Sequence, residues 1–499
     1  MTLAELLRAC PPRRTTGSVN IPVTGLSHDS RAVAPGDVFF ALPGSKTDGN
    51  RHAREAFAKG AVAVVSELEP PPPPATVPGT WVQAADAAET MGRCADAFFG
   101  HPSGAMTVVG VTGTNGKTTT TYLLESIVAA AGGRAGVAGT IDYRLGGERL
   151  AKAVNTTPIS LELARLLARF RDGGATYALM EVSSHALALK RVETVDFDAA
   201  VFLNLTRDHL DYHKTVDDYF EAKARLFDLL ARSGNKKSPK VAALNADDPR
   251  SHYLRKRAVG CDVVTFGLGD EAKDLRGKIL AADVRGSRFA LDWRGRRLEG
   301  SVRLPGPHNV SNALAAAAAL LGLGTPADKV LAGLSALRSV PGRLEPVDEG
   351  QDFSVLVDYA HTDSALETVL GLLKTLPHRR LIAVFGCGGD RDRGKRGPMG
   401  VAACRGADLA VLTSDNPRSE DPLAIIADVE AGIRAAGLQN YRIVPDRGEA
   451  VAAAIAQART GDVVLIAGKG HEDYQILRDR TVAFDDREAA RAALRSQKR

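Results

Sequence analysis

Residues Met106-Thr-Val-Val-Gly-Val-Thr-Gly113-Thr-Asn-Gly116-Lys117-Thr118-Thr119 carry an apolar, β-branched run into a glycine-rich turn, and Thr120-Thr-Tyr-Leu-Leu-Glu-Ser-Ile continues it with a helical pattern. That order demands a strand, a tight loop and a helix whose positive N-terminal end faces the loop. Glycines let backbone N–H groups turn inward around phosphate oxygens. Lys117 would then reach the outer phosphates, and the Thr118 hydroxyl would ligate Mg²⁺. Val111 stands where G-x-x-x-x-G-K-[ST] has its first glycine. The alternative is a glycine-rich strand–helix turn that binds nothing. The loop indicates nucleotide phosphates but not the use made of them.

A chain of 499 residues exceeds one ordinary core, so several domains are expected. Its 44% hydrophobic and 25% charged residues fit a soluble globular protein. Met1–Cys10 lacks the apolar segment of a secretory signal, and no window approaches a membrane span. Five scattered cysteines without C-x-x-C spacing argue against a disulfide framework or zinc site and predict a cytoplasmic protein. Net charge is +5, with no basic stripe interleaved with aromatics, which argues against a nucleic-acid platform.

The apolar runs Val38-Phe-Phe-Ala-Leu and Ala61-Val-Ala-Val-Val and a helix over Ala53–Lys59 fill the first hundred residues. Pro70–Pro74 reads as a stiff spacer, and a helix over Ala84–Phe99 ends at the breaker cluster Gly100-His-Pro-Ser-Gly. The first boundary falls there. Strands are predicted at Met106–Val111, Ala135–Ala138, Tyr177–Val182, Ala199–Leu203 and Val241–Leu244, with helices at Thr118–Ala131, Ile159–Arg171 and Val216–Leu230. This alternation implies βαβ units and a mostly parallel sheet. Residues 262–303 read as successive strands, and Asn312–Leu323 as a helix. A second boundary lies near Val340-Pro-Gly-Arg343, giving domains 1–103, 104–338 and 339–499.

In the last domain, polar clusters directly follow the predicted strands Phe353–Val357, Leu381–Phe385, Leu409–Thr413 and Val463–Ala467. They are Asp358-Tyr-Ala-His361, Gly386-Cys-Gly-Gly-Asp-Arg391, Ser414-Asp-Asn-Pro-Arg418 and Gly468-Lys-Gly-His-Glu472. Sites in such sheets form beyond the carboxyl ends of strands, so four clusters there predict one pocket.

Glu181, ending a strand near the phosphate loop, is a candidate Mg²⁺ ligand or else a capping acid. Asn204-Leu-Thr-Arg-Asp-His209-Leu-Asp-Tyr-His213 gathers acids and histidines at another strand end, without a third ligand set for zinc. From spacing alone, Lys223 in Tyr219-Phe-Glu-Ala-Lys-Ala-Arg-Leu-Phe is a surface lysine.

Gly113-Thr-Asn-Gly-Lys-Thr-Thr, Glu181-Val-Ser-Ser-His, Thr206-Arg-Asp-His-Leu-Asp-Tyr-His, Pro307-His-Asn-Val-Ser-Asn312, Pro341-Gly-Arg-Leu-Glu345 and Val357-Asp-Tyr-Ala-His-Thr together resemble the Mur ligase family. Its members build the peptide stem of bacterial peptidoglycan, and the motifs follow family order over nearly the whole chain. Leu26-Ser-His-Asp-Ser-Arg31, Gly36-Asp-Val-Phe-Phe-Ala and Lys46-Thr-Asp-Gly resemble the member that adds the third stem residue. Asp415-Asn-Pro-Arg418 resembles its version taking meso-diaminopimelate rather than lysine.

The resemblance implies three α/β domains: a small UDP-binding N-terminal domain, a central P-loop ATPase-like domain and a C-terminal Rossmann-like domain. It implies ATP and Mg²⁺, with UDP-N-acetylmuramoyl-L-alanyl-D-glutamate and meso-diaminopimelate as substrates, no nucleic acid, no membrane insertion and a monomer. Gly113, Thr114, Asn115, Gly116, Lys117, Thr118 and Thr119 would hold ATP, joined by Asn309, Arg343 and Asp358. Lys223 matches a family lysine that becomes carbamylated. With Glu181 and His209 it would hold a second Mg²⁺, while Thr118 and Glu181 serve the first. Lys117, His209 and Lys223 would carry the chemistry.

For the sugar nucleotide the resemblance points to His28, Ser30, Ser45, Lys46 and Thr47, and for the muramoyl-dipeptide to Thr156, Thr157, Ser183 and Arg191. Leu189 stands where the family pattern commonly has Gln, so that hydrogen bond is not carried over. Arg391, Asp415, Asn416, Pro417, Arg418, Gly468 and Glu472 match the diaminopimelate pocket. Arg418 would offer a bidentate fork to the distal carboxylate, and Glu472 would neutralise an ammonium. The alternatives are a lysine-adding or folylpolyglutamate synthase-like ligase, and more remotely a regulatory P-loop NTPase. Asn235-Lys-Lys-Ser lacks the acid of a guanine-binding motif.

Overall fold

Val108, Val109 and Val111 are all fully buried in β6 (Thr107–Thr112), as a strand covered on both faces requires. The computed structural model describes residues 1–44, 48–70, 79–234 and 239–497. These form two compact units, Met1–Arg276 with Asn312–Gly333, and Gly277–Ser311 with Leu334–Arg499.

The first unit opens with strands β1 (Arg14–Thr16), β2 (Gly25–Ser27), β3 (Asp37–Phe40), β4 (Ala63–Ser66) and β5 (Thr80–Gln83), in the order β1-β5-β4-β3-β2. Only β1 runs antiparallel to its neighbour. The helix Ala87–Phe98 starts where the Asp86 carboxylate accepts the Glu89 N–H, and it buries Met91 and Cys94 against Leu6 and Phe40.

The central sheet adds β7 (Ala135–Ala138), β8 (Asp142–Leu145), β9 (Glu148–Lys152), β10 (Tyr177–Glu181), β11 (Ala199–Phe202), β12 (Val241–Asn245) and β13 (Asp262–Gly267). Their order is β13-β12-β11-β6-β10-β7-β8-β9, parallel from β13 to β7. The predicted strands and helices of this sheet are present with small shifts at their ends. The antiparallel β8–β9 hairpin was not predicted. β6 lies between β10 and β11, so chain crossovers leave in opposite directions beside its carboxyl end. A crevice opens at such a switch point.

Within the stretch predicted as successive strands, β14 (Leu275–Asp283) begins in the first unit, where Leu275 and Arg276 pair with β13, and in the second unit β15 (Gly286–Trp293) and β16 (Arg296–Val302) form an antiparallel hairpin. The helix Pro307–Gly322 begins five residues before the predicted Asn312. The main sheet comprises β17 (Glu345–Pro346), β18 (Ser354–Asp358), β19 (Leu381–Cys387), β20 (Leu409–Ser414), β21 (Tyr441–Ile443) and β22 (Val463–Ala467), in the order β17-β18-β22-β19-β20-β21. All pairs but β17–β18 are parallel. Leu356, Ala383, Phe385, Leu412 and Leu465 fill one face, and Val355, Val357, Ile382, Val384, Val411, Val464 and Ile466 the other. Period-two alternation with both faces apolar explains their continuous hydrophobic runs. A two-stranded ribbon, β23 (Tyr474–Ile476) and β24 (Thr481–Ala483), follows unpredicted.

Arg447 and Asp486 form an ion pair with both side chains fully buried, Nη2 to Oδ2 at 2.7 Å and Nε to Oδ1 at 2.8 Å. Arg447 Nη2 also donates to the Ala467 carbonyl at 3.0 Å. The pair moors the helix Asp486–Gln497 to the sheet. Arg447→Met strands a buried carboxylate and should lower unfolding free energy by about 3–5 kcal/mol in urea titrations. No helix among the described residues is long and apolar enough to cross a membrane.

Candidate active site

After β6 the chain turns through Gly113-Thr-Asn-Gly116 into the helix Lys117–Ala130. Gly116 has φ +90°, and a Cβ there would stand 2.3 Å from the Asn312 Oδ1, so only glycine fits. Asn204, just past β11, clamps the loop. Its carbonyl accepts the Thr114 N–H at 3.0 Å, its Oδ1 accepts the Asn115 N–H at 3.0 Å, and its Nδ2 donates to the Asn115 carbonyl at 3.1 Å. Lys117 folds back, its Nζ donating to the carbonyls of Gly113 at 2.7 Å and Thr114 at 3.0 Å. Thr119 is buried in the first turn.

Glu181 ends β10 in register with Val111 of β6, which sets its carboxylate beside the loop. It is buried, and accepts the Thr118 hydroxyl at 3.0 Å, the Thr140 hydroxyl at 2.9 Å and the Thr140 N–H at 2.8 Å. A carboxylate and a hydroxyl at a phosphate loop make a hard oxygen donor set suited to Mg²⁺. Among the described residues no group of three or more His, Cys, Asp or Glu side chains could hold a metal ion. Mg²⁺ needs none, because it commonly takes one or two carboxylates plus substrate phosphates.

Lys223 is not a surface residue, as spacing alone suggested. On the helix Val216–Arg232 it is 1% exposed, between Tyr219 and Phe227 on the inward face. Its Nζ donates to the Gly113 carbonyl at 3.0 Å and lies 4.3 Å from the Tyr219 ring centroid. Burial, aided by the Lys117 ammonium, holds its pKa well below the usual lysine value, although Asp208 pulls the other way. The Tyr219 hydroxyl donates to the Thr114 Oγ1 at 3.2 Å, and burial pushes that phenol up to about 12.

His209, exposed and with φ +52°, has its ring centroid 4.9 Å from His185 and 5.9 Å from Tyr219. His213 is buried, 3.0 Å from the Ser184 hydroxyl. Burial lowers the pKa of both His185 and His213, and neighbouring imidazoles reinforce it.

The Thr157 hydroxyl donates to the Glu181 carbonyl at 2.7 Å and to the Ser183 Oγ at 3.4 Å. Arg191 donates to the Thr157 carbonyl at 3.0 Å, and Thr156 Oγ1 lies 3.1 Å from Thr140 Oγ1. The dipeptide candidates therefore adjoin Glu181. Leu189 is 44% exposed, and nothing in its position restores a polar contact. His28 Nδ1 is 3.9 Å from Glu162, and burial lowers its pKa. The Ser30 hydroxyl donates to Glu55 at 3.1 Å. Ser45, Lys46 and Thr47 lie outside the described residues, as do most of the proline run and Asn235-Lys-Lys-Ser.

In the second unit, Asn309 is buried with its Nδ2 donating to the Pro305 carbonyl at 2.8 Å. Asp358 ends β18 and accepts the N–H groups of Leu344 at 2.8 Å and Ala360 at 2.9 Å. Desolvation raises its pKa despite the Arg343 guanidinium, which stands 5.3 Å from the Tyr359 ring centroid.

The four polar clusters do meet. The Gly389 N–H donates to the Asn416 carbonyl at 2.9 Å, and Asn416 Nδ2 donates to Glu472 Oε2 at 3.1 Å. Arg418, with φ +54°, donates to the Gly389 carbonyl at 2.7 Å, and its own N–H pairs with Ile476 of the unpredicted ribbon at 3.1 Å. The Tyr359 and His471 rings are 5.1 Å apart. Arg391 is exposed, Pro417 buried, and the Gly468 N–H donates to the Asp358 carbonyl at 3.0 Å. Asn204, Asn312 and Lys469 lie inside stretches singled out in the sequence, but none was given a role there. For Lys469 the only signal was its place inside one of the four clusters.

Three family models match in series: "Mur ligase family, catalytic domain" over residues 22–99, "Mur ligase middle domain" over 111–320, and "Mur ligase, glutamate ligase domain" over 342–470. A UDP-N-acetylmuramoyl-L-alanyl-D-glutamate–2,6-diaminopimelate ligase of Solibacter usitatus is 49% identical over 497 residues, 99% of this chain and 98% of that protein. One of the same name from Geobacillus thermodenitrificans is 45% identical, covering 100% of both chains. A solved structure, also of that name, superposes with a TM-score of 0.73 at 34% identity over 100% of both chains. With motifs, fold and likeness agreeing along its whole length, the chain belongs to the Mur ligase family.

Proposed function

We propose that this chain joins meso-diaminopimelate to UDP-N-acetylmuramoyl-L-alanyl-D-glutamate at the expense of ATP, in bacterial peptidoglycan synthesis. The observation that carries this reading is its likeness, 49% identical over 99% of its length, to a protein named for that reaction. The γ-carboxylate of the D-glutamyl residue takes the γ-phosphoryl group, giving an acyl phosphate and ADP. The deprotonated amine of diaminopimelate attacks the acyl carbon, and the tetrahedral intermediate expels inorganic phosphate.

The protein's part is positioning and charge neutralisation. Gly113–Thr119 would wrap the phosphates, Lys117 leaving its loop carbonyls for phosphate oxygens, while Asn309, Arg343 and Asp358 serve the nucleotide. Thr118 and Glu181 would hold one Mg²⁺, and Glu181, His209 and Lys223 a second; bound there, the metals would neutralise charge on the transferring phosphoryl group. A lysine with a depressed pKa supplies the neutral amine that adds to CO₂, forming an N–C bond and releasing one proton. The resulting carbamate would offer Lys223 as an anionic oxygen ligand. His28, Ser30, Ser45, Lys46 and Thr47 are assigned to the sugar nucleotide, and Thr156, Thr157, Ser183 and Arg191 to its dipeptide. The enzyme would work as a cytoplasmic monomer of three domains, 1–103, 104–338 and 339–499.

An amino-acid panel with ATP and the UDP-muramoyl-dipeptide tests the reading. Phosphate release should require both the dipeptide and diaminopimelate, with lysine a poor replacement. Equal turnover without them would sink it.

A further inference from the structure

Lys469 is fully buried, yet it lies outside the set of residues assigned to the amino-acid pocket. Its Nζ is 3.0 Å from Asn416 Oδ1, 3.4 Å from Glu472 Oε2, 3.7 Å from Asp415 Oδ1 and 5.6 Å from the Tyr474 ring centroid. An ammonium has donors only, so it fixes which end of the Asn416 amide faces it. The Ile476 N–H, donating to the same Oδ1 at 3.0 Å, demands the same orientation. Asn416 Nδ2 is thereby turned to Glu472 Oε2 at 3.1 Å, and the carboxylate is held between that amide and the ammonium. The Asn416 backbone carbonyl in turn accepts from Arg418 Nη1 at 3.4 Å.

We propose that Lys469 is a positioning and specificity-determining residue of this pocket, orienting Asn416 and Glu472 and offsetting one of the two carboxylate charges, Asp415 and Glu472. The proposal rests on the reading that the pocket takes diaminopimelate. With Lys469 present, the three side chains leave one net negative charge to face an ammonium. Without it two remain, and the pocket then favours a more cationic ligand. Diaminopimelate is neutral overall at pH 7, whereas lysine carries one net positive charge. Lys469 therefore works with Arg418 against lysine, through charge rather than contact.

The test compares wild type, Lys469→Met and Lys469→Arg at pH 7 with ATP, the UDP-muramoyl-dipeptide and either amino acid. Lys469→Met should raise KM for diaminopimelate at least about tenfold, as loss of a partner behind a binding group does. KM for ATP should stay within about twofold, and the kcat/KM preference for diaminopimelate over lysine should fall at least about tenfold. Lys469→Arg should recover most of that preference. If Lys469→Met does not fold, Lys469→Gln, which keeps a donor but not the charge, should lose the preference equally. A folded, uncharged variant with unchanged preference overturns the proposal and leaves the reaction standing. A wild-type protein that does not add diaminopimelate overturns both.

Discussion

Lys223→Ala should retain ATP binding but lose about 10²–10³-fold in kcat, the loss typical when one charge-stabilising group leaves a water-excluded site. The side chain is 1% exposed and reaches the Gly113 carbonyl at 3.0 Å, so its removal leaves a buried gap beside the phosphate loop. If its working form is a carbamate, small carboxylates such as acetate or formate should restore part of the rate to the alanine variant. Steady-state phosphate release with and without added carboxylate measures both effects. Full activity in the unrescued variant would refute a role for Lys223 as a metal ligand. A folded variant with lost activity and no rescue would leave the lysine needed for packing or charge and remove the carbamate.

Arg418→Ala should raise KM for diaminopimelate by about 30-fold or more and leave KM for ATP nearly unchanged. Truncating one side of a desolvated charge pair costs about 2–5 kcal/mol, and each 1.4 kcal/mol is tenfold. Arg418 is held in advance of the ligand, with its Nη1 donating to the Gly389 carbonyl at 2.7 Å and its backbone N–H pairing with Ile476 at 3.1 Å. Lysine lacks the distal carboxylate, so its KM should hardly move. Initial rates against each amino acid check this, and unchanged diaminopimelate kinetics would remove Arg418 from the pocket.

The central and C-terminal sheets were legible because fully buried parallel strands write continuous apolar runs between amphipathic helices. Val463–Ala467 and Ala135–Ala138 came out to the residue. The β8–β9 hairpin was harder to see. Glu148–Lys152 is a mostly exposed edge strand with three charged residues, which carries little hydrophobic signal. Lys223 shows the limit of residue-type reasoning. Tyr219, Lys223, Leu226 and Leu230 follow a helical 4-3-4 spacing on the buried face, so position predicts burial where chemistry predicts the surface. The contacts of Asn204 and Asn312, both named within sequence motifs, were hidden for another reason. Their importance is a matter of contact across long sequence separation, as with Asn204 and Asn115, and no local pattern encodes that.

The buried Arg447 does more than moor the last helix. The same guanidinium that grips Asp486 also holds the Ala467 carbonyl, one residue before Gly468, which is proposed for the amino-acid pocket. Undocking the helix would free the strand end that shapes the pocket, and filling the pocket would in return make undocking harder. On the proposed assignment of Gly468, Asp486 at the start of the last helix is therefore a distant rivet for substrate recognition, and losing its grip on Arg447 should weaken amino-acid affinity.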